Sequence, residues 1–227
     1  MMVTASDLSL AQQAYNQIRH EILTCILPPG QVLSERTLAQ QYDMSKTPVR
    51  EALGQLYHEG LVRRLPGRGY LVAPITIEDV QNLFDLRLIL EVAAVERAAR
   101  RLSPAQIAIL KNMASISYRL DDPESHVAFL DANRKFHLTL AEASGNRRLA
   151  DELGTVMLEM DRLFHLGLRL RDSAQEMKEE HQEVVAALEA GDVEKARDLI
   201  AQQIITSQRR VMEAILRGQI QSVQIGE

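Results

Sequence analysis

Two groups of side chains in this 227-residue chain have types and spacings suited to chemistry. The first is basic: Lys46, Thr47 and Arg50, with Arg36 ahead of them and Pro66-Gly67-Arg68-Gly69 behind. An arginine can grip guanine O6 and N7 with two hydrogen bonds, and Lys and Thr suit phosphates or base edges. The second group is polar and falls inside apolar stripes. Arg87 lies among Val80, Leu83, Leu90 and Ala94, and Asn133 and His137 lie among Phe129, Phe136 and Leu140. His181 is flanked by Met177, Val184, Val185 and Leu188, and Gln203 follows Ala196, Leu199 and Ile200. Polar groups converging from four helices suit a ligand pocket. A buried Arg87 needs a partner, either Glu91 or the carboxylate of a ligand, which accepts two parallel hydrogen bonds from a guanidinium. His137 and His181 offer two imidazole nitrogens to a divalent metal such as zinc, with the Asn133 amide as a weak third ligand.

The elements that position the basic group read helix, helix, helix, hairpin. Ala14, Ile18, Ile22 and Ile26 repeat at helical spacing and predict a first helix over 10–26, stopped by Pro28-Pro29-Gly30. Gln31-Val32-Leu33 suits a short edge strand. Ser34 is placed to cap a helix reaching Tyr42, and Asp43-Met44 forms a tight turn. Ser45 is placed to cap a third helix that carries Pro48 in its first turn, buries Val49, Ala52, Leu53 and Leu56, and ends at Gly60. Lys46, Thr47 and Arg50 then face outward from its first turns. Leu61–Leu65 and Tyr70–Ala73, joined by Pro66-Gly67-Arg68-Gly69, make a hairpin with Arg68 at its tip. Together these predict a winged helix-turn-helix, whose third helix and wing meet DNA grooves and whose helix N-terminus attracts phosphate.

The rest of the chain predicts six helices. Thr76 with Asp79 resembles a capping box for a helix to about Arg101. Ser103-Pro104 opens a helix to about Leu120. Pro123 opens one that ends at Ser144-Gly145-Asn146. Further helices run over about 147–170, 173–190 and 193–217, and the short connections imply antiparallel neighbours. The fold class expected is mainly α, a winged helix-turn-helix over 1–74 followed by an all-α antiparallel six-helix bundle over 75–227.

Charge and proline usage divide the chain at the same place. Residues 1–74 hold seven Lys+Arg, six Asp+Glu and five of the seven prolines, whereas 75–227 hold 19 Lys+Arg against 25 Asp+Glu. A single cysteine, Cys25, excludes a disulfide framework and fits a reducing cytosol. No apolar run approaches the roughly 18 residues of a membrane span, and 1–10 lacks the pattern of a signal peptide, so a cytoplasmic protein is expected. Aromatics are only 4%, Trp is absent and Gly is sparse, which favours helices over a β-sandwich.

Ser34-Glu35-Arg36-Thr37-Leu38-Ala39, Ser45-Lys46-Thr47-Pro48-Val49-Arg50-Glu51-Ala52-Leu53, Leu56, Gly60-Leu61-Val62 and Pro66-Gly67-Arg68-Gly69-Tyr70 resemble the DNA-binding domain of GntR-type bacterial regulators. The resemblance assigns Arg36, Lys46, Thr47, Arg50 and the wing around Gly67 to operator contact. Arg87-x-x-x-Glu91, Asn133-x-x-Phe136-His137-x-x-Leu140, Ser144-Gly145-Asn146, Glu180-His181 and Ala187-Leu188-x-x-Gly191-Asp192-x-x-x-Ala196 resemble the FCD effector domain of the FadR subfamily. Many such domains bind a divalent metal, often zinc, through an Asp and a His one turn apart plus two further His. In this sequence Asn133 stands at the Asp position and Gln203 at the last His position, while His137 and His181 are retained. The position matching Arg87 often holds a small carboxylate effector.

These readings converge on a homodimeric, ligand-responsive transcription regulator, a repressor released from a palindromic DNA operator by a small organic acid. Its effector residues are Arg87, Asn133, His137, His181 and Gln203. Its DNA contacts are Arg36, Ser45, Lys46, Thr47, Arg50, Gly67 and Arg68. A transcription activator of the same fold is one alternative, and a DNA binder with no effector is another. A metal-dependent hydrolase built on Asn133, His137 and His181 is a third, disfavoured because the sequence shows no nucleophile motif and no Gly-rich phosphate loop.

Overall fold

A computed structural model describes residues 8–119, 122–170 and 172–223. The chain divides into two compact units, one ending at Ile75 and one beginning at Thr76. In the first unit, helix α1 (Leu10–Leu23) starts where the Ser9 hydroxyl accepts from the Gln12 N–H. It stops three residues short of the expected Ile26. Cys25 adopts a left-handed φ of 55°, and the Leu27 N–H turns back to the Glu21 carbonyl. The early stop lets Leu27 enter the core; Pro28 lies too far along to be its cause.

Strand β1 (Val32–Leu33) leads into α2 (Glu35–Gln41), capped by the Ser34 hydroxyl, and then α3 (Lys46–His58). Between the helices Asp43 has φ 52°, and the Met44 N–H bonds the Ala39 carbonyl. The Tyr42 hydroxyl donates to the buried Glu21 carboxylate at 2.6 Å, tying the end of α2 to α1. Ser45 occupies the N-cap of α3, but its hydroxyl makes no capping bond, contrary to expectation. The residue three positions on is Pro48, which has no N–H for a capping hydroxyl to accept from.

The hairpin is β2 (Val62–Leu65) and β3 (Gly69–Val72), and the antiparallel sheet runs β1-β3-β2 with Leu33 opposite Tyr70 and Val62 opposite Val72. Gly69 is required there: its φ is +100°, and a Cβ would run into the Leu33 carbonyl. Ile18, Ile22, Leu38, Val49, Leu53, Leu56, Val62 and Val72 fill one core under the three helices and the sheet.

The second unit contains helices α4 (Ile77–Ala98), α5 (Pro104–Ser115), α6 (Pro123–Ala143), α7 (Arg147–Leu170), α8 (Ala174–Glu189) and α9 (Val193–Val223). Capping boxes at Thr76/Asp79 and Ser103/Gln106 begin α4 and α5. α5 ends at Ser115, short of the expected Leu120, which lies outside the described residues. The chain extends at Ile116 and buries Tyr118, which packs on His126 and Phe129 while its hydroxyl accepts from the Ser173 N–H at 2.8 Å. α9 runs beyond the expected Arg217, and α4 ends three residues before Arg101. α4 packs against α6, α7 and α9, and α8 packs against α5 and α9. The buried face of α4 is Val80, Phe84, Arg87, Glu91, Ala94 and Ala98, rotated from the expected stripe so that Leu83 and Leu90 are only half-buried. Among the described residues no helix is long and apolar enough to cross a membrane.

Candidate nucleic-acid interface and buried polar centre

The first unit gathers exposed basic groups at the start of α2, the start of α3 and the hairpin tip. Arg36, Ser45, Lys46, Thr47, Arg50, Gly67 and Arg68 are all exposed. Among the described residues no ion pair is recorded for Arg36, Lys46 or Arg68. Arg50 differs. Its Nε donates to both Glu35 oxygens (3.1 and 3.0 Å) and its Nη2 donates to Glu35 Oε2 (2.8 Å). Sequence reading missed this pairing, although fifteen residues of separation across a helix-turn-helix bring the two helix starts together. It also passed over Arg63 and Arg64, exposed on β2, the second with its guanidinium 5.0 Å from the Tyr57 ring centroid. Adjacent arginines break a strand's in-out alternation, which hid them from a periodicity reading.

The second unit brings all five expected polar residues into its interior: Arg87, Asn133, His137, His181 and Gln203 are each buried. Glu91 joins them. Arg87 Nε donates to Glu91 Oε1 at 2.5 Å, and Arg87 Nη2 lies 2.9 Å from His137 Nε2. A guanidinium only donates, so His137 Nε2 accepts, and its Nδ1 carries the proton that goes to Glu91 Oε2 at 2.5 Å. His137 is therefore neutral. Burial drives its imidazole down from the ordinary value, with Arg87 adding to the effect and Glu91 opposing it. Burial likewise holds the His181 imidazole well below its ordinary range, reinforced by His137 and Arg87. Burial alone would raise the Glu91 carboxyl. The charges and hydrogen bonds of Arg87 and His137 overcome that and hold it at about 2.

This network answers the question of Arg87's partner. Glu91 and His137 take its Nε and Nη2 edge, so a ligand carboxylate meets an arginine already paired. It also bears on metal. His137 and His181 bring their Nε2 atoms within 3.4 Å of each other, but the His137 lone pair is already accepting from Arg87. No group of three or more His, Cys, Asp or Glu is placed to hold a metal ion among the described residues. With amides at Asn133 and Gln203, this donor set does not fit a tightly held zinc.

One polar atom in the centre is unmatched: among the described residues the buried Gln203 Oε1 atom has no hydrogen-bond partner. Next to the centre, between α6, α7, α8 and α9, lies a cavity of about 20 Å³, lined by Leu130, Phe164, Met177, Ser207 and Arg210 among others, with room for one water. A much larger concavity of about 710 Å³ is an open groove on α6 and α7 that includes none of the cluster residues. Sequence reading also missed Arg210, buried on α9 and forked onto the Glu180 carboxylate at 2.8 and 2.7 Å.

Comparison with known proteins decides the family. Residues 10–72 match the model of the bacterial regulatory proteins, gntR family, and residues 82–206 match the FCD domain. The chain belongs to the GntR family of transcriptional regulators, in its FCD branch. It is 32% identical over 184 residues to an HTH-type transcriptional regulator in an unstable DNA locus of Streptomyces ambofaciens, covering 81% of this chain and 77% of that one. It is 27% identical over 211 residues to the HTH-type transcriptional repressor RspR of Escherichia coli, covering 89% and 90% of the two chains. The solved structure of E. coli McbR/YncC superposes with a TM-score of 0.66 at 26% identity, covering 91% of this chain and 98% of that one. As a GntR regulator the chain is not an enzyme, and the hydrolase alternative falls with that finding.

Proposed function

We propose that this GntR regulator is a cytoplasmic homodimer that represses transcription from a palindromic operator and is released by a small organic acid. The observation that carries the DNA-reading part is the exposed basic start of α3, Lys46 and Thr47 with Arg50, beside Arg36 and the Arg68 wing tip. In this reading Lys46, Thr47 and Arg50 meet base edges and phosphates in the major groove. Ser45, whose hydroxyl is released from capping by Pro48, donates to a phosphate, and Gly67 and Arg68 enter the minor groove. A two-fold dimer presents two such surfaces to an inverted repeat. The repressor role leans on RspR, which is named as one.

The effector part rests on the buried centre. A carboxylate is received by Arg87 in exchange with Glu91, with Asn133, His137, His181 and Gln203 supplying hydrogen bonds. The unmatched Gln203 Oε1 accepts from a hydroxyl of the ligand or from a water. No metal takes part. Release follows if the acid binds the DNA-free arrangement more tightly than the DNA-bound one.

Electrophoretic shifts on the region upstream of the gene test the first part, and displacement of that DNA by a carboxylate panel tests the second. Binding to that region in the nanomolar range, lost by at least about fivefold in Arg50→Ala, is the expected outcome. An Arg50→Ala variant that binds the best duplex as well as wild type refutes the role given to α3.

A further inference from the structure

Glu35 is an odd residue to find where the chain meets DNA. It is the first residue of α2, next to Arg36, and its carboxylate points to Arg50 on the same face. A negative charge there weakens attraction to phosphates, so affinity does not explain it. The geometry of its contact does. Glu35 takes the side edge of the Arg50 guanidinium, the Nε–H and the neighbouring Nη2–H. Among the described residues no acceptor takes the Nη1 hydrogens or the outer Nη2 hydrogen. These Nη1 and Nη2 hydrogens form the end edge, two parallel donors whose spacing matches guanine O6 and N7. The side chain of Arg50 is 66% exposed even with its side edge on Glu35.

We propose that Glu35 is a specificity-positioning residue, which fixes Arg50 so that its end edge reads a base and keeps Arg50 from serving as a general phosphate clamp. The inference rests on the DNA-reading role of α3 proposed above and adds to it. An arginine alone on a flexible stem reaches any nearby phosphate and gains the same from every sequence. Paired side-on with a carboxylate, it is locally neutralised and held in one orientation. It then gains most where two acceptors lie at the right spacing, which only the correct base offers. Glu35 thus lowers non-specific binding and preserves specific binding.

The test uses the full-length chain and two duplexes: the tightest binder enriched from a randomised pool by wild type, and its scrambled counterpart. Wild type, Glu35→Gln, Glu35→Asp, Arg50→Ala and Glu35→Gln/Arg50→Ala are titrated against both across a salt series. Glu35→Gln is expected to bind the scrambled duplex at least as tightly as wild type, while its enriched-to-scrambled ratio falls by about fivefold or more. Glu35→Asp keeps the charge but shortens the reach, and its ratio is expected to fall too. The double variant is expected to show the same ratio as Arg50→Ala, because Glu35 acts through that arginine.

A Glu35→Gln ratio within about twofold of wild type overturns the proposal, as does a wild-type ratio in Glu35→Asp, which would make Glu35 a bulk charge. A double variant losing discrimination well beyond Arg50→Ala overturns it as well. If enrichment yields no preferred duplex for wild type, the DNA-reading proposal itself fails, an outcome distinct from the other three. Melting temperatures within error of wild type confirm that each ratio comes from folded protein.

Discussion

Removing the Glu91 carboxylate strands a buried cation. Arg87 is 2% exposed and takes its only countercharge among the described residues from Glu91, which also accepts from His137. In Glu91→Ala the guanidinium stays buried without an anion and His137 Nδ1 loses its acceptor. Breaking a buried ion pair from one side costs about 3–5 kcal/mol. The pH linkage gives a similar size: a carboxyl held at about 2 against an ordinary 4.5 is worth about 3 kcal/mol at neutral pH. For a unit of this size the melting transition should fall by roughly 6–20 °C. Replacing both partners, in Arg87→Met/Glu91→Met, should recover most of that loss, since an apolar pair of similar volume leaves no charge stranded.

The sign of the acid response follows from the same groups. Glu91 has a folded value below its unfolded one, so its contribution is complete above about 4.5 and is lost as pH falls toward 2. His137 and His181 are kept neutral when folded, so the unfolded chain binds their protons first and stability begins to fall below 6.5. Scanning calorimetry of wild type and both variants between pH 7 and pH 3 reads all of this. A Glu91→Ala cost under about 1 kcal/mol, or a double variant as weak as the single one, would refute the buried-pair reasoning.

Four further outcomes are expected. Carboxylate effectors should bind more tightly as pH falls, by up to about tenfold per unit, because an added anion in a centre holding one Arg⁺ and one Glu⁻ draws a proton onto His137 or His181; calorimetry showing pH-independent affinity counts against it. In the same assay Arg87→Lys should weaken the acid about tenfold by losing the fork geometry, and unchanged binding would remove Arg87 from the site. Protein purified without a His-tag should carry substoichiometric zinc by elemental analysis, whereas one equivalent surviving dialysis and lost in His137→Ala would show that the amides at 133 and 203 do not disable a metal site. Gly69→Ala should destabilise the winged unit by about 2 kcal/mol, read by its melting transition, because of the left-handed backbone and the Leu33 carbonyl.

The elements were legible where one residue carries a local rule. Thr76 and Asp79 announced their capping box, Ser103-Pro104 its helix start, and Pro66–Gly69 its hairpin, because each signal acts within four residues. Ends set by tertiary packing were not. α1 stops at a left-handed Cys25 so that Leu27 can be buried, and α5 stops so that Tyr118 can reach Ser173, 55 residues on. The five buried polar residues showed as breaks in apolar stripes. Their connections did not, since the Glu91–His137 contact spans 46 residues and depends on how α4 and α6 pack. Local patterning likewise marked Arg50 as outward but was blind to Glu35, which reaches it only once the turn has closed.

Titration of the full-length chain against an enriched inverted-repeat duplex and its scrambled counterpart, at physiological salt, tests DNA reading most directly. A DNA-reading homodimer should load two chains per repeat with Kd of about 10⁻⁸–10⁻¹¹ M, at least about 10³-fold tighter than on the scrambled duplex. Equal affinity for both duplexes, or one chain bound per repeat, would contradict it.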